Sequence, residues 1–152
     1  MLQLEEKLKE YSTTHDKGWS NVARVISKAW LRDGLQPRCI TRDLKWGIPV
    51  PVEGFENKVF YVWFDAPFGY ISITKRYTKE YKQWWQPSSQ DIKIDLYQFM
   101  AKDNIPFHTI MFPACLLAAN QNYTLMKCVL ATGMIFSKNA YLSNAFFYFI
   151  IL

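Results

Sequence analysis

The chain has 152 residues, half of them hydrophobic and 17% aromatic, which excludes a disordered or low-complexity protein and allows one domain with a sizeable core. Its formal net charge of +5 suits contact with a polyanion such as RNA or a nucleotide, and equally suits lysines on solvated faces, because charge speaks to partners and not to fold. Cys39, Cys115 and Cys128 are an odd number without close spacing, as expected of reduced, buried thiols in a cytosolic protein, and two distant histidines with no C-x-x-C offer no zinc motif.

The first residues, "MLQLEEKLKEY", are charged and amphipathic, unlike a signal peptide; Leu4, Leu8 and Tyr11 fall at helical spacing. A second helix is predicted after Ser20 as N-cap, with Val22, Val25, Ile26, Ala29 and Trp30 as its apolar face and Gly34 as its stop. "QPRCITRDLKWGIPVP" carries three prolines and a glycine and is expected to be extended and irregular, in the manner of a loose hairpin. The run from Val59 to Phe64 does not alternate, as in a strand covered on both faces of a parallel sheet.

From Gly69 to about Trp85 the pattern is helical, and Pro87-Ser88-Ser89 ends it. "IDLYQFMAKD" predicts a second strand with a polar exit, and "YTLMKCVLAT" a third. Between them Pro106 starts a helix, and Pro113 is expected to kink it. Strands alternating with helices imply a parallel α/β sheet, whose ligands lie beyond the carboxyl ends of the strands. That rule points to residues 65–70 and 102–108.

Three groups of residues there could carry chemistry. Trp63, Ala66, Pro67 and Tyr70 either wall an apolar pocket, with the phenol hydroxyl as its polar handle, or are core residues. Asp103 either accepts the hydroxyls of a ribose or caps a helix, and His108 either faces the same crevice or is a hydrogen-bonded core histidine. Arg42, beside Asp43, either clamps a carboxylate or phosphate or forms an exposed ion pair.

Taken together, "WLRDGLQPRCITRDLKWGIPVP", "KVFYVWFDAPFGYISIT" and "LYQFMAKDNIPFHTIMFPA" closely resemble the methionyl-tRNA synthetases of the eukaryotic cytosolic type. The resemblance runs from about Trp19 to Thr132. It divides the chain into an N-terminal helical segment (1–18), a partial class I catalytic domain (19–132) and a divergent hydrophobic tail (133–152). The implied fold is α/β: the second half of a class I Rossmann-like catalytic domain, with parallel strands and incomplete. The implied parent activity is ATP-dependent activation of methionine and its transfer to tRNA, with ATP, accompanied by Mg2+, as a substrate, in the cytoplasm. Trp63, Ala66, Pro67, Tyr70 and His108 would then form the methionine side-chain pocket, with the Tyr70 hydroxyl offered to the thioether sulfur. Asp103, with Asn104 beside it, would hold the ATP ribose, and Arg42 would lie near the amino-acid head group.

The departures carry equal weight. The first class I signature (of the H-I-G-H type), the zinc-bearing insert and the anticodon-reading helical domain of the family have no counterpart in this sequence. Where the second signature (K-F-S-K-S in this branch) is due, "GMIFSKN" offers a remnant around Lys138 or a chance similarity. The final "AFFYFIIL" is eight apolar residues, too few to span a bilayer, and an aggregation risk if exposed. Without both signatures the chain alone is expected to form no methionyl-adenylate, and an open sheet edge is expected to cost it stability. A methionine- or adenosine-binding or interaction fragment without enzymatic activity, and the non-functional product of a truncated gene, remain alternatives. The resemblance leaves partners in any multi-synthetase complex undefined.

Overall fold

The computed structural model describes residues 4–89 and 92–132, together with the backbone of residues 150 and 151. Lys138 and most of the hydrophobic tail lie outside the described residues. Helix α1 (Glu5–His15) follows the predicted spacing and buries Leu8 and Tyr11. Its Tyr11 hydroxyl donates to the Met126 carbonyl at 3.0 Å, so this helix is tied to the sheet. A 3-10 turn at Asp16–Gly18 follows. Gly18 is needed there, since a Cβ would come within 2.4 Å of the Lys127 carbonyl oxygen.

Helix α2 (Asn21–Arg32) starts at Ser20, whose Oγ accepts from the Ala23 amide, and ends before Gly34, at φ +82°. Its buried face is not the one that Val22 and Val25 suggested: those two are 43% and 60% exposed, whereas Ala23, Ser27 and Leu31 are buried. The reason lies at Ser27, whose hydroxyl donates to the Ala23 carbonyl at 2.7 Å and pairs with Thr109 Oγ1 at 2.8 Å. A satisfied polar pair at the centre of the seam turns the helix by about one residue relative to an all-apolar reading.

The irregular stretch does form a hairpin, but with a distant partner. Strand β1 (Thr41–Arg42) pairs antiparallel with β2 (Val59–Phe60). The expected long strand at 59–64 is corrected accordingly. It stops after two residues, and Val62–Asp65 is a helical turn, α3, leaving Val62 59% exposed. An unbroken apolar run fits a buried strand and a helical turn equally well, and here the turn forms. A 3-10 turn (Ala66–Phe68) leads into α4 (Gly69–Tyr77), and α5 (Tyr81–Trp85) follows after a break.

Strand β3 (Leu96–Ala101) pairs in parallel with β4 (Met126–Thr132), the order being β4-β3-β5 with β5 (Ile150–Ile151) antiparallel on the far edge. The parallel sheet of the described residues therefore has two strands rather than three, because the first predicted strand belongs to the hairpin. The crossover between them is a 3-10 turn (Lys102–Asn104), a π-helical turn (Phe107–Met111) and α6 (Phe112–Ala119). Trp85, Leu96, Ile105, Phe112 and Met126 centre the main core; Leu8, Leu31, Leu35 and Ile110 form a second cluster. All three thiols are free; Cys128 is buried and Cys115 partly so, whereas Cys39, outside the apolar runs, is exposed on the hairpin approach. No helix among the described residues is long and apolar enough to cross a membrane.

Candidate functional site

A cavity of about 380 Å³ opens between the turns at 62–73 and the start of the crossover helix. It is lined by Val62, Trp63, Ala66, Pro67, Gly69, Tyr70, Ile73 and His108. The five residues singled out as pocket formers are therefore brought together, although they lie up to 45 positions apart in sequence. The volume lies at the lower end of the range for small-ligand sites.

Each wall has its own local cause. On the first, Pro67 sits in the opening turn of a 3-10 helix, where its missing N–H costs nothing. Tyr70, on the first turn of α4, is held through Thr74. The Thr74 hydroxyl donates to the Tyr70 carbonyl at 2.9 Å and accepts from the buried Trp85 indole at 3.0 Å. On the second wall, Pro113 has no N–H for the Thr109 carbonyl, so the expected kink takes the form of a wider π turn. The Phe112 amide reaches back to the Phe107 carbonyl, five residues earlier. That turn carries Phe107 and His108. Phe107 stacks on Trp63, with ring centroids 4.4 Å apart and planes 10° from parallel. The sequence reading missed Val62, Gly69 and Ile73 of the lining, and Phe107, which backs Trp63 and whose adjacency to His108 was the available signal.

His108 is buried, and its two nitrogens are both engaged. Nδ1 lies 2.8 Å from the Asn104 carbonyl oxygen and Nε2 lies 2.7 Å from the Tyr70 hydroxyl. A carbonyl oxygen only accepts, so Nδ1 carries the proton. Burial lowers the imidazole pKa to about 4, so the ring is neutral near pH 7, and Nε2 accepts from the Tyr70 hydroxyl. The expectation that Tyr70 would offer its hydroxyl proton to a ligand thus meets a competitor already in the wall.

The remaining candidates lie elsewhere. Asp103 is exposed at the carboxyl end of β3, and Asn104 is buried with its carbonyl engaged by His108. Arg42 does not line the cavity and is not paired with Asp43. Its guanidinium donates to the carbonyls of Thr41 and Cys39, at 2.8 and 3.1 Å, and lies over the Tyr61 ring. Asp43 instead pairs with Lys58. No group of three or more metal-ligating side chains gathers among the described residues.

Comparison with known proteins places this architecture. The cytoplasmic methionine–tRNA ligase of Xenopus laevis is 57% identical over 130 residues, and that of Homo sapiens 56% over 132. Each match covers 86% of this chain and 14% of the relative. The Saccharomyces cerevisiae enzyme is 46% identical over 145 residues, covering 94% of this chain and 19% of its own length. The chain thus spans less than a fifth of the length of these three relatives. A Mycobacterium tuberculosis methionyl-tRNA synthetase, solved in complex with methionyl-adenylate, shares the fold with a TM-score of 0.69 at 23% identity, over 87% of this chain and 25% of that one. The family model described as tRNA synthetases class I (M) matches residues 1–152, and the chain belongs to that family, the methionyl branch of the class I tRNA synthetases.

Proposed function

We propose that this chain carries the methionine side-chain pocket and the ribose side of an ATP site belonging to a methionine–tRNA ligase, whose full activity joins methionine to tRNA in the cytoplasm at the expense of ATP with Mg2+. The observation that carries the reading is the cavity itself: Trp63, Ala66, Pro67, Tyr70 and His108 converge on a space suited to a short unbranched side chain. Trp63, backed by the stacked ring of Phe107, and the ring of Pro67 supply apolar contact area, which excludes water from the side chain. Asp103, at a strand's carboxyl end, is positioned to accept two hydroxyls of a ribose, with Asn104 holding the turn that presents it. Arg42 serves the hairpin backbone and lies toward the amino-acid head group only if that hairpin closes over it. The catalytic portion is residues 19–132, preceded by the helical segment 1–18 and followed by the divergent segment 133–152.

Adenylate formation is mostly positioning and charge stabilisation at the phosphates. The sequence holds no H-I-G-H-type motif, and no intact K-F-S-K-S. The 152-residue chain by itself therefore binds methionine but forms no methionyl-adenylate. Two assays on the purified chain test both halves. Calorimetry should register methionine, with binding weakened tenfold or more in Trp63→Ala; no heat with the wild-type chain sinks the pocket. Methionine-dependent ATP–pyrophosphate exchange should stay at background, and a clear rate sinks the claim of inactivity.

A further inference from the structure

We infer that a second cavity, at the amino end of the parallel strands, is a binding site for a small phosphate anion of two or more charges, such as a diphosphate. It is separate from the methionine-pocket reading and does not depend on it.

The cavity holds about 410 Å³ and sits where separate segments of the chain meet. His15 comes from the end of α1, Lys17 from the 3-10 turn after it, Lys93 from the approach to β3 and Lys127 from the start of β4. The volume falls in the range for small-ligand sites. Asp103 lies past the other end of β3, and the six residues of that strand put about 20 Å between its two ends. The cavity is therefore no extension of a site beyond the carboxyl ends of the strands.

Charge sets this cavity apart. Three lysines and a histidine line it, against one carboxylate, that of Asp95, which is already paired with Lys127. Asp16, the acid of the neighbouring turn, is drawn to Lys28 at 2.7 Å and does not line the cavity. Lys17 and Lys93 are left with no carboxylate partner among the described residues. Ammonium groups gathered around one space repel each other, and the field they share favours a multiply charged anion. They line a single cavity and not a track along the surface, so the fit is to a compact anion rather than to the backbone of a nucleic acid.

The main chain between these cations is fixed, so they do not relax apart. A Cβ on Gly18 would come within 2.4 Å of the Lys127 carbonyl oxygen, and Cys128 Sγ donates to the Gly18 carbonyl at 2.7 Å. The Tyr11 hydroxyl holds α1 to the Met126 carbonyl. Lys17 and Lys127 are thus carried on backbone clamped together, and the parallel pairing of Leu96 with Met126 brings the segment of Lys93 alongside. Preorganisation of this kind lowers the cost of ordering a ligand.

Titration of the isotope-labelled 152-residue chain with sodium pyrophosphate at low ionic strength tests the site. The amides of Gly18, Asp95 and Lys127 should shift saturably, with a dissociation constant of about 1 mM or tighter, while those of Asp103 and His108 stay in place. Lys17→Glu should weaken binding about tenfold or more, and Lys93→Gln should weaken it about threefold. Lys79→Glu, an equal change in net charge at an exposed lysine between α4 and α5, should weaken it less than about twofold. All three side chains are exposed, so unfolding midpoints should not move. The inference is overturned by the absence of saturable shifts up to about 10 mM, by equal weakening in Lys17→Glu and Lys79→Glu, or by shifts confined to Asp103 and His108. A short single-stranded RNA that displaces pyrophosphate at a lower total phosphate concentration assigns these cations to a nucleic acid, and overturns it as well.

Discussion

One wall of the cavity, residues 62–73, is a succession of short helical turns whose outer side chains, Val62 and Ile73, are 59% and 67% exposed. The other, residues 104–112, is a π turn and the start of α6, where His108, Thr109, Ile110 and Phe112 are all at most 1% exposed. The two walls meet through the Trp63–Phe107 stack, the Tyr70–His108 hydrogen bond and the packing of Phe68 and Tyr70 on Phe112. A site with one buried wall and one half-exposed wall combines a fixed reference for the ligand with a face that can adjust around it. Most of the stability therefore resides behind the second wall, while ligand contact area is supplied by the first.

The largest effect that would break this asymmetry is at Phe112. Its ring meets those of Phe68, Tyr70 and Trp85 at centroid distances of 5.7, 6.1 and 6.4 Å. Phe112→Ala should cost about 3–5 kcal/mol, by lost transfer energy and the cavity left behind. Urea unfolding followed by tryptophan fluorescence would measure it, and a cost under about 1 kcal/mol would place the stable core elsewhere.

Next in size is a pH effect at His108. Its pKa falls from 6.5 to about 4 on folding because the buried ring resists charge. Between those values the unfolded chain binds a proton that the folded chain refuses. This contribution is therefore fully present above about pH 6.5 and is lost as pH falls toward 4, about 3 kcal/mol over the window. Comparing unfolding midpoints of the wild type and His108→Gln at pH 7 and pH 4.5 isolates it from carboxylates titrating in the same range. The gap between the two should narrow at the lower pH; a constant gap would mean that His108 is not the titrating group.

The residues of the pocket were legible in the sequence because "VWFDAPFGY" and "KDNIPFH" carry chemistry whose identity does not depend on the exact secondary structure. What the sequence did not reveal was the direction in which individual side chains face. Val59 to Phe64 read as one strand, since an apolar run has the same composition whether it pleats or turns; only the pairing of Thr41 with Phe60 ends it after two residues. The buried face of α2 was misplaced for a related reason. Hydrophobicity counts Val22 and Val25 toward a core, and cannot register that Ser27 and Thr109 satisfy each other 82 positions apart. Likewise Pro113 announced an irregularity, but the π turn that aims His108 at Tyr70 follows from hydrogen bonds that composition does not encode. Long-range polar pairing was the missing information in the second case, and the choice between a kink and a π turn in the third.

A smaller effect probes how the second wall's sheet is tied to the N-terminal helices. Ser20 Oγ accepts from the Ala23 amide at 3.4 Å and from the Ala131 amide at 3.2 Å, so one hydroxyl caps α2 and fastens it to β4. Ser20→Ala should cost about 1 kcal/mol, the usual value for an N-cap. Ser20→Gly, which leaves a tolerable cap but no side-chain acceptor, should lose the Oγ tie to Ala131 while keeping the Ser20 amide bond to Val129 and most of the helix start. If both variants cost the same, measured by thermal unfolding at pH 7, then the bond to β4 rather than the cap sets the value.

The smallest effect belongs to the first wall and separates its two roles. Val62 is mostly exposed yet lines the cavity, so Val62→Ala removes little buried area, and stability should shift by less than about 0.5 kcal/mol. Ligand contact is a different matter, because a bound side chain would cover the face of Val62 that water now reaches. The expected outcome is an unchanged unfolding midpoint beside a methionine affinity reduced about two- to fivefold, consistent with losing one or two methyl contacts. A destabilisation as large as that of a core residue would show that the first wall is packed as tightly as the second. The division between a fixed wall and an adjustable one would then fail at its most exposed residue.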